Sequence, residues 1–170
     1  MLGESFSGPI AIRIAANPPP NLTGVIFCGT FAKNPFPLLG WASPLVFLVP
    51  IKSLPRWVRA PQMWGSKRDV RIPPRAERAI AGVDGAVVRR RIAALLTVDA
   101  TEPLKRIELP ALVIYAKRDR IVRYATTRWL FEQLPGTEVA AVDGPHLLLQ
   151  AAPLECAAVV AEFLHRRLPT

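Results

Sequence analysis

Residues 3–8 read Gly-Glu-Ser-Phe-Ser-Gly (GESFSG), and the interpretation of the whole chain depends on this stretch. A serine between small residues is typical of a sharp turn that leads from a strand into a helix. Because the turn is tight, side chains larger than those of Gly3, Ser7 and Gly8 would collide with the neighbouring strand and helix. The turn strains the serine backbone and exposes its Oγ atom. The stretch therefore predicts Ser5 as a nucleophile.

The helix predicted after this turn points its N-terminus at the reacting centre, where it favours developing negative charge. The backbone N–H of Phe6 is therefore a candidate oxyanion donor. Two other interpretations of the turn stay open: Ser5 as a helix N-cap, and Ser7 as the nucleophile. Glu4 either forms a nearby hydrogen bond or has a structural role.

Apolar runs and helical patterns alternate along the chain. Strands are predicted at residues 24–30, 110–116 and 137–143, and Leu2 resembles the end of another strand. Helices are predicted at residues 9–16, 86–96, 124–134 and 153–168, the last with an apolar stripe of Leu154, Ala157, Ala158, Ala161 and Leu164. This alternation implies an α/β fold, in which a mostly parallel sheet carries helices on both faces.

Two candidate partners for Ser5 each follow a predicted strand. They are Asp119 and His146, and sites in open α/β sheets form at the carboxyl ends of strands. A serine hydroxyl needs a base, and a histidine base needs an acid that fixes its tautomer. Asp143 is a rival acid, but its closeness in sequence to His146 favours a place in the turn. His165 lies near the end of the last helix and is expected at the surface.

Three blocks carry a family resemblance: GESFSG (3–8), LPALVIYAKRDRIV (109–122) and LPGTEVAAVDGPHLLLQAAPLECAAVVAEFL (134–164). The chain resembles the C-terminal part of an α/β-hydrolase fold serine hydrolase of the capped esterase or lipase-like type. The resemblance covers the chain outside residues 31–100. It implies a hydrolase that cleaves a small-molecule carboxylic ester through an acyl-enzyme, without a cofactor.

The resemblance also implies individual roles. Ser5 corresponds to the nucleophile, Asp119 to the acid and His146 to the base. Leu147 and Leu148, beside the base, either line an acyl pocket or pack in the core.

The same resemblance divides the chain into three parts. The first core part is 1–30 (nucleophile turn, helix and strand), the cap insertion is 31–100, and the second core part is 101–170 (the strands with the acid and histidine loops, and the final helix). Trp41, Trp57 and Trp64 are interpreted as the interior of the cap rather than as substrate contacts.

The sequence departs from the family pattern at several positions. Ser7, Ala116 and Pro145 stand where glycine is usual, and Gln150 stands where an acid is common. The strands that precede the nucleophile in this family, and the loop that supplies the second oxyanion N–H, have no counterpart in the sequence. We therefore expect a truncated hydrolase, weak or inactive alone, with an exposed apolar sheet edge. The alternative is a non-catalytic fragment that serves as a binding domain.

The net charge of the 170-residue chain is +9, and residues 52–91 carry much of it. A basic surface attracts nucleic acid, anionic lipid or an acidic partner, but no nucleic-acid-binding motif accompanies these residues. We therefore interpret the stretch as a solvated surface and expect no nucleic-acid partner.

The apolar stretch at residues 36–51 is short for a membrane span and contains three prolines. We expect no integral membrane segment; the stretch is either a buried lid or a peripheral lipid contact. The start of the chain lacks the pattern of a signal peptide, which favours the cytoplasm. Cys28 and Cys156 are predicted as small core residues, and the two histidines provide no structural metal site. The oligomeric state is left open.

Overall fold

The computed structural model describes residues 1–48, 75, 78–79 and 82–167. Trp57 and Trp64, and most of the basic stretch at residues 52–91, lie outside the described residues.

Four parallel strands form a sheet with the spatial order β1-β2-β3-β4. The strands are β1 (Leu2–Glu4), β2 (Val25–Cys28), β3 (Ala111–Ala116) and β4 (Glu138–Val142). Glu4 lies opposite Cys28, and Ala116 lies opposite Val142. Because the strands all run in the same direction, their carboxyl ends share one edge of the sheet. β1 is an edge strand of the described sheet, and Leu2 is partly exposed there.

Helices cover both faces of the sheet, which confirms the predicted α/β fold. They are α1 (Gly8–Ala15), α2 (Gly85–Thr97), α3 (Thr101–Leu104), α4 (Tyr124–Glu132), α5 (Leu148–Ala151) and α6 (Pro153–Arg167), with 3₁₀ turns at Ser5–Ser7 and Pro37–Leu48. Pro9 stands in the first turn of α1, where a missing N–H costs no helical hydrogen bond.

The two core layers follow from the alternation of side chains along β2, which is buried throughout. Val25 and Phe27 pack on one face with residues of α1 and α4. Ile26 and Cys28 pack on the other face with residues of α6. A fully buried side chain such as that of Phe27 contributes about 1.5–3 kcal/mol to folding. The central strands are therefore apolar on both faces, as expected of a covered parallel sheet.

Helix α6 was predicted at the right place but with the wrong buried face. The predicted stripe included Leu154 and Leu164, yet Leu154 is 81% exposed and Leu164 is 40% exposed. Cys156 and Phe163 instead face the sheet and are buried. The helix has apolar residues in two stripes at helical spacing, and the position of the sheet decides which of them is covered.

The described residues between 34 and 98 include a third, smaller apolar cluster. It forms where α2 packs against the 3₁₀ segment Pro37–Leu48, through Val46 and Leu96. The chain leaves the core near Ala32 and returns to it near Ala100. There the N–H of Ala100 donates to the carbonyl of Ala32 at 2.8 Å. The division at residues 31–100 stays a prediction. Trp41, expected in the cap interior, is 74% exposed.

None of the helices in the described part of the chain is long and apolar enough to cross a membrane.

Candidate active site

The turn between β1 and α1 has the strained geometry that the sequence predicts. Ser5 has a φ of 51°, and it is the only non-glycine residue with a positive φ among the described residues. Such a backbone costs about 1–3 kcal/mol and persists only where the surroundings hold it. Ser5 opens a 3₁₀ turn, Ser5–Ser7, directly after the carboxyl end of β1. The strain therefore falls on the residue predicted to be the nucleophile.

Close packing explains the small residues on either side of Ser5. A Cβ atom at Gly3 would lie 2.8 Å from the Cβ atom of Ala11 on α1. A Cβ atom at Gly8 would overlap the side chain of Thr30. Both positions therefore require glycine, because helix α1 lies too close to Gly3, and Thr30 after β2 lies too close to Gly8, for a Cβ atom.

Ser5, His146 and Asp119 form a continuous hydrogen-bonded chain. The Ser5 Oγ atom lies 2.7 Å from His146 Nε2, and His146 Nδ1 lies 2.8 Å from Asp119 Oδ2. An ionised carboxylate can only accept, so this arrangement places a proton on Nδ1 and leaves Nε2 to accept from the serine hydroxyl. The histidine and aspartate side chains are 3% and 2% exposed, respectively. The structure thus brings the three predicted residues together.

The loop after β3 fixes the second oxygen of Asp119. The Oδ1 atom accepts hydrogen bonds from the backbone N–H groups of Ile121 and Val122, both at 2.8 Å. Three donors therefore hold this buried carboxylate, which satisfies its charge and fixes its direction toward His146.

Gly29 and Thr30, directly after β2, complete the site and were missed by the sequence analysis. Gly29 has a φ of +50°, and a Cβ atom there would lie 3.3 Å from the His146 carbonyl. The Thr30 hydroxyl, which is buried, donates to the Ser5 carbonyl at 2.5 Å. A glycine and a small polar residue at the carboxyl end of a buried strand are the signal that could have indicated them.

The hydrogen bond from Thr30 has a consequence for Phe6. The Ser5 carbonyl and the Phe6 N–H belong to one trans peptide, in which the two groups point in opposite directions. A donor that fixes the carbonyl therefore also fixes the direction of the N–H. The peptide predicted to supply an oxyanion donor is thus held by a buried side chain.

The rival residues have other partners. The Ser7 hydroxyl is exposed and donates to the Glu4 carbonyl at 2.7 Å. Asp143 accepts from Arg118 Nε at 2.9 Å, which leaves Asp119 as the acid beside His146. His165 is exposed on α6, as expected.

The two leucines after His146 differ in burial. Leu148 is fully buried in the cluster beneath α6, so its side chain has no surface to offer a substrate. The structure therefore assigns Leu148 to the core rather than to an acyl pocket. Leu147 is partly buried.

An apolar pocket of about 170 Å³ lies beside the nucleophile turn. It is lined by Phe6, Pro9, Ile10, Arg13, Phe31, Ala94 and Val98. Arg13 donates to the Asp99 carbonyl at 2.8 Å, and the guanidinium carbon of Arg91 lies 5.9 Å from the centre of the Phe6 ring. Helix α2 and helix α1 therefore enclose an apolar space next to Phe6.

The two cysteines are buried thiols, as predicted. Burial, with a smaller contribution from the charge of Glu4, raises the pKa of Cys28 far above its ordinary value. The same causes, joined by Glu155, raise the pKa of Cys156 to about 11. Neither thiol forms a reactive thiolate near neutral pH. In the described residues, no three His, Cys, Asp or Glu side chains are grouped so as to hold a metal ion.

Comparison with known proteins identifies a family whose model matches most of the chain. The family model for serine aminopeptidases of the S33 type (Hydrolase_4) matches residues 1–148. RutD of Rhizobium rhizogenes, provisionally named a carbamate hydrolase, is 28% identical over 175 residues, which cover 98% of this chain and 66% of that protein.

Solved structures show the same fold. A hydrolase from Pseudomonas aeruginosa PA01 has a TM-score of 0.79 at 21% identity, over 96% of this chain and 63% of that one. A thermophilic esterase from Thermogutta terrifontis has a TM-score of 0.74 at 20% identity, over 99% of this chain and 65% of that one. The chain thus spans about two thirds of the length of these proteins.

The matched residues include the nucleophile turn, the Asp119 loop and His146. With the parallel sheet covered on both faces, they identify the fold of the chain as that of the α/β-hydrolases. The chain belongs to the serine aminopeptidase S33 (Hydrolase_4) family.

Proposed function

We propose that this chain carries the catalytic residues of a serine hydrolase that cleaves carboxylic esters through an acyl-enzyme. The observation that carries the proposal is the chain of hydrogen bonds from Ser5 Oγ to His146 Nε2 at 2.7 Å and from His146 Nδ1 to Asp119 Oδ2 at 2.8 Å. Nucleophile, base and orienting acid within hydrogen-bond reach are the arrangement that activates a serine hydroxyl.

Acylation uses each residue at a stated atom. Ser5 Oγ attacks the ester carbonyl carbon while His146 Nε2 accepts the hydroxyl proton. Asp119 Oδ2 accepts from Nδ1–H and stabilises the positive charge that forms on the imidazole. The carbon–oxygen bond of the ester then breaks, and the leaving alkoxide takes the proton from Nε2.

Deacylation repeats these steps with water. His146 Nε2 accepts a proton from the water molecule, whose oxygen attacks the acyl carbon. The bond to Ser5 Oγ then breaks, and the proton returns from Nε2 to the serine. The products are a carboxylic acid and an alcohol, and the reaction needs no cofactor.

The Phe6 N–H is proposed to bind the oxyanion. Its support is the hydrogen bond from Thr30 to the Ser5 carbonyl, which holds the shared peptide without using the Phe6 N–H. A fixed donor stabilises developing charge without reorganisation, and loss of one such donor lowers turnover by roughly 100- to 1,000-fold in a well-studied protease.

The apolar pocket beside Phe6 favours an uncharged, hydrophobic acyl or alcohol group. Its volume of about 170 Å³ accommodates a short aliphatic chain or a single ring. We propose that residues 31–100, which supply Phe31, Ala94 and Val98 to this pocket, act as a cap.

The test is hydrolysis of p-nitrophenyl esters of increasing acyl length by the 170-residue chain. We expect slow release of p-nitrophenol that Ser5→Ala abolishes and that Ser7→Ala preserves. Activity that survives in Ser5→Ala would overturn the proposal. A folded wild-type chain that releases no p-nitrophenol and forms no acyl-serine would favour the binding-domain alternative.

A further inference from the structure

Glu4, the residue before Ser5, joins the nucleophile turn to the segment after His146. Its Oε1 atom accepts from the backbone N–H of Leu149 at 3.2 Å, and its Oε2 atom accepts from Gln150 Nε2 at 2.9 Å. Both hydrogen bonds are partly buried. They link the end of β1 to helix α5.

The segment that Glu4 holds is itself bonded to the histidine. The N–H of Leu148, the first residue of α5, donates to the carbonyl of His146 at 2.9 Å, and His146 contacts Ser5 Oγ. A displacement of α5 would therefore move His146 relative to Ser5. The 2.7 Å distance between Oγ and Nε2 depends on the separation of these two segments.

The chemistry of the pair explains the amide at position 150. A carboxylate can only accept hydrogen bonds, so Glu4 needs donors on the facing segment. Gln150 supplies one through Nε2, whereas an acid at this position would place two carboxylates in contact. The Oε1 atom of Gln150 is buried and has no hydrogen-bond partner in the described part of the chain. The amide is therefore oriented by its contact with Glu4.

Other titratable groups surround Glu4 on the elements packed against it. They are Cys28 on β2, Cys156 on α6, and the Asp119–His146 pair at the sheet edge. Burial raises the pKa of both thiols, which leaves them neutral near neutral pH. Asp119 is already held by His146 and two backbone donors. Gln150 and the Leu149 N–H are thus the donors available to the Glu4 carboxylate within the described residues.

We infer that Glu4 and Gln150 are a positioning pair that sets the distance between Ser5 and His146, and that the pair fails when both members are carboxylates. The inference rests on the proposed function, because the distance matters for the proposed proton transfer. Neither Glu4 nor Gln150 touches the reacting atoms.

A reciprocal exchange tests the pair. The variants are Glu4→Gln, Gln150→Glu and the double variant, compared with Glu155→Gln, which neutralises an exposed carboxylate on α6. In the double variant, the amide now at position 4 accepts from Leu149 N–H and donates to the carboxylate now at position 150, so both hydrogen bonds are retained. We expect Gln150→Glu to lower the rate of fluorophosphonate labelling on the order of tenfold near pH 8, and the double variant to restore it. Glu4→Gln should retain most of the rate, because its amide can accept from Leu149 N–H and donate to the Oε1 atom of Gln150. Glu155→Gln should resemble the wild type.

The pH profile separates positioning from a merely structural role. In Gln150→Glu, protonation of one carboxylate lets it donate to the other. The labelling rate relative to wild type should therefore rise as the pH is lowered. For the double variant, the labelling rate relative to wild type should not change over the same pH range.

The histidine ring gives a readout that does not require catalysis. The chain has two histidines, and the exposed His165 serves as an internal reference in spectra of protein labelled with ¹⁵N-histidine. We expect the Nδ1–H signal of His146 to shift and to exchange faster with water in Gln150→Glu, and to return in the double variant. The His165 signals should not change.

The outcomes distinguish this inference from the proposed function. If the wild type is not labelled but the His146 signal follows the exchange, the proposed function fails and the positioning pair stands. If labelling and the His146 signal are the same in the wild type and in all the exchange variants, the positioning pair is overturned. If a single variant does not fold, the double variant decides: a folded protein with the wild-type His146 signal supports the pair, and any other result overturns it.

Discussion

Asp119 and Glu138 are both carboxylates close to the sheet, one in the loop after β3 and one at the start of β4, yet their surroundings differ. The Asp119 side chain is 2% exposed and accepts from His146, Ile121 and Val122. Glu138 accepts from two arginines of α6, each about half exposed. Both carboxylates are well supplied with donors, but water competes strongly only at the arginine pairs of Glu138.

From this comparison we expect that burial, rather than the number of hydrogen bonds, decides how much a carboxylate contributes to stability and to the site. Removing one partner of a buried charged group leaves the other uncompensated, which costs roughly 3–5 kcal/mol. An exposed ion pair is screened by water and salt and contributes about 0–1 kcal/mol. The following predictions test this difference, from the largest expected effect to the smallest.

Asp119→Asn should have the largest effect on the site. An amide can donate to His146 Nδ1 and so favour the wrong tautomer, which in a well-studied protease lowers turnover about 10⁴-fold. We expect a comparable fall in the rate of fluorophosphonate labelling, measured with Asp143→Asn as the control. A larger fall in Asp143→Asn would reverse the assignment of the acid.

Thr30→Val should have an intermediate effect, because it removes a buried hydroxyl while it keeps the shape of the side chain. Loss of the hydrogen bond to the Ser5 carbonyl loosens the peptide that carries the Phe6 N–H. We expect labelling to slow by about tenfold, within the range for one buried hydrogen bond. Thr30→Ser keeps the hydroxyl and should retain most of the rate; equal losses in the two variants would point to packing instead.

Ala94→Phe should alter selectivity more than it alters the overall rate. The residue lies on α2 and lines the apolar pocket, away from the buried chain of hydrogen bonds. A larger side chain should occupy space that an acyl chain would otherwise use. Each methylene group kept out of the pocket should lose about 0.8 kcal/mol of binding free energy. We expect turnover of longer p-nitrophenyl esters to fall several-fold relative to the acetate. If the turnover of longer esters relative to the acetate does not change, the pocket does not bind the acyl chain.

Glu138→Gln should have the smallest effect. Hydrogen bonds from Arg167 and Arg166 lower the pKa of Glu138. Its contribution to stability is therefore present above the ordinary glutamate pKa of about 4.3 and is lost as the pH falls through the lower folded value. Thermal unfolding near neutral pH should show a loss of at most about 1 kcal/mol, which disappears in acid and in high salt. A loss of stability of roughly 3–5 kcal/mol, the range for breaking a buried charged pair, would contradict the comparison.

The sequence predicts a site residue where a local pattern marks its position. Ser5, Asp119 and His146 could be predicted because each follows an apolar strand, and the ends of parallel strands meet. Thr30 also follows a buried strand, but a threonine there does not reveal that it donates to the Ser5 carbonyl. The Glu4–Gln150 pair could not be predicted, because no local pattern links the two positions. The covered face of α6 was wrong because Leu154 and Phe163 belong to two stripes that both fit a helix, and only the sheet selects between them.

The most direct test of the account is to identify the residue that reacts with a fluorophosphonate. The wild-type chain is incubated with the probe, and the modified peptide is identified by mass spectrometry. We predict a single adduct on Ser5, absent in Ser5→Ala, preserved in Ser7→Ala and strongly reduced in Asp119→Asn. A folded wild-type chain without an adduct, or an adduct that persists in Ser5→Ala, would contradict the claim that Ser5, His146 and Asp119 form the catalytic centre.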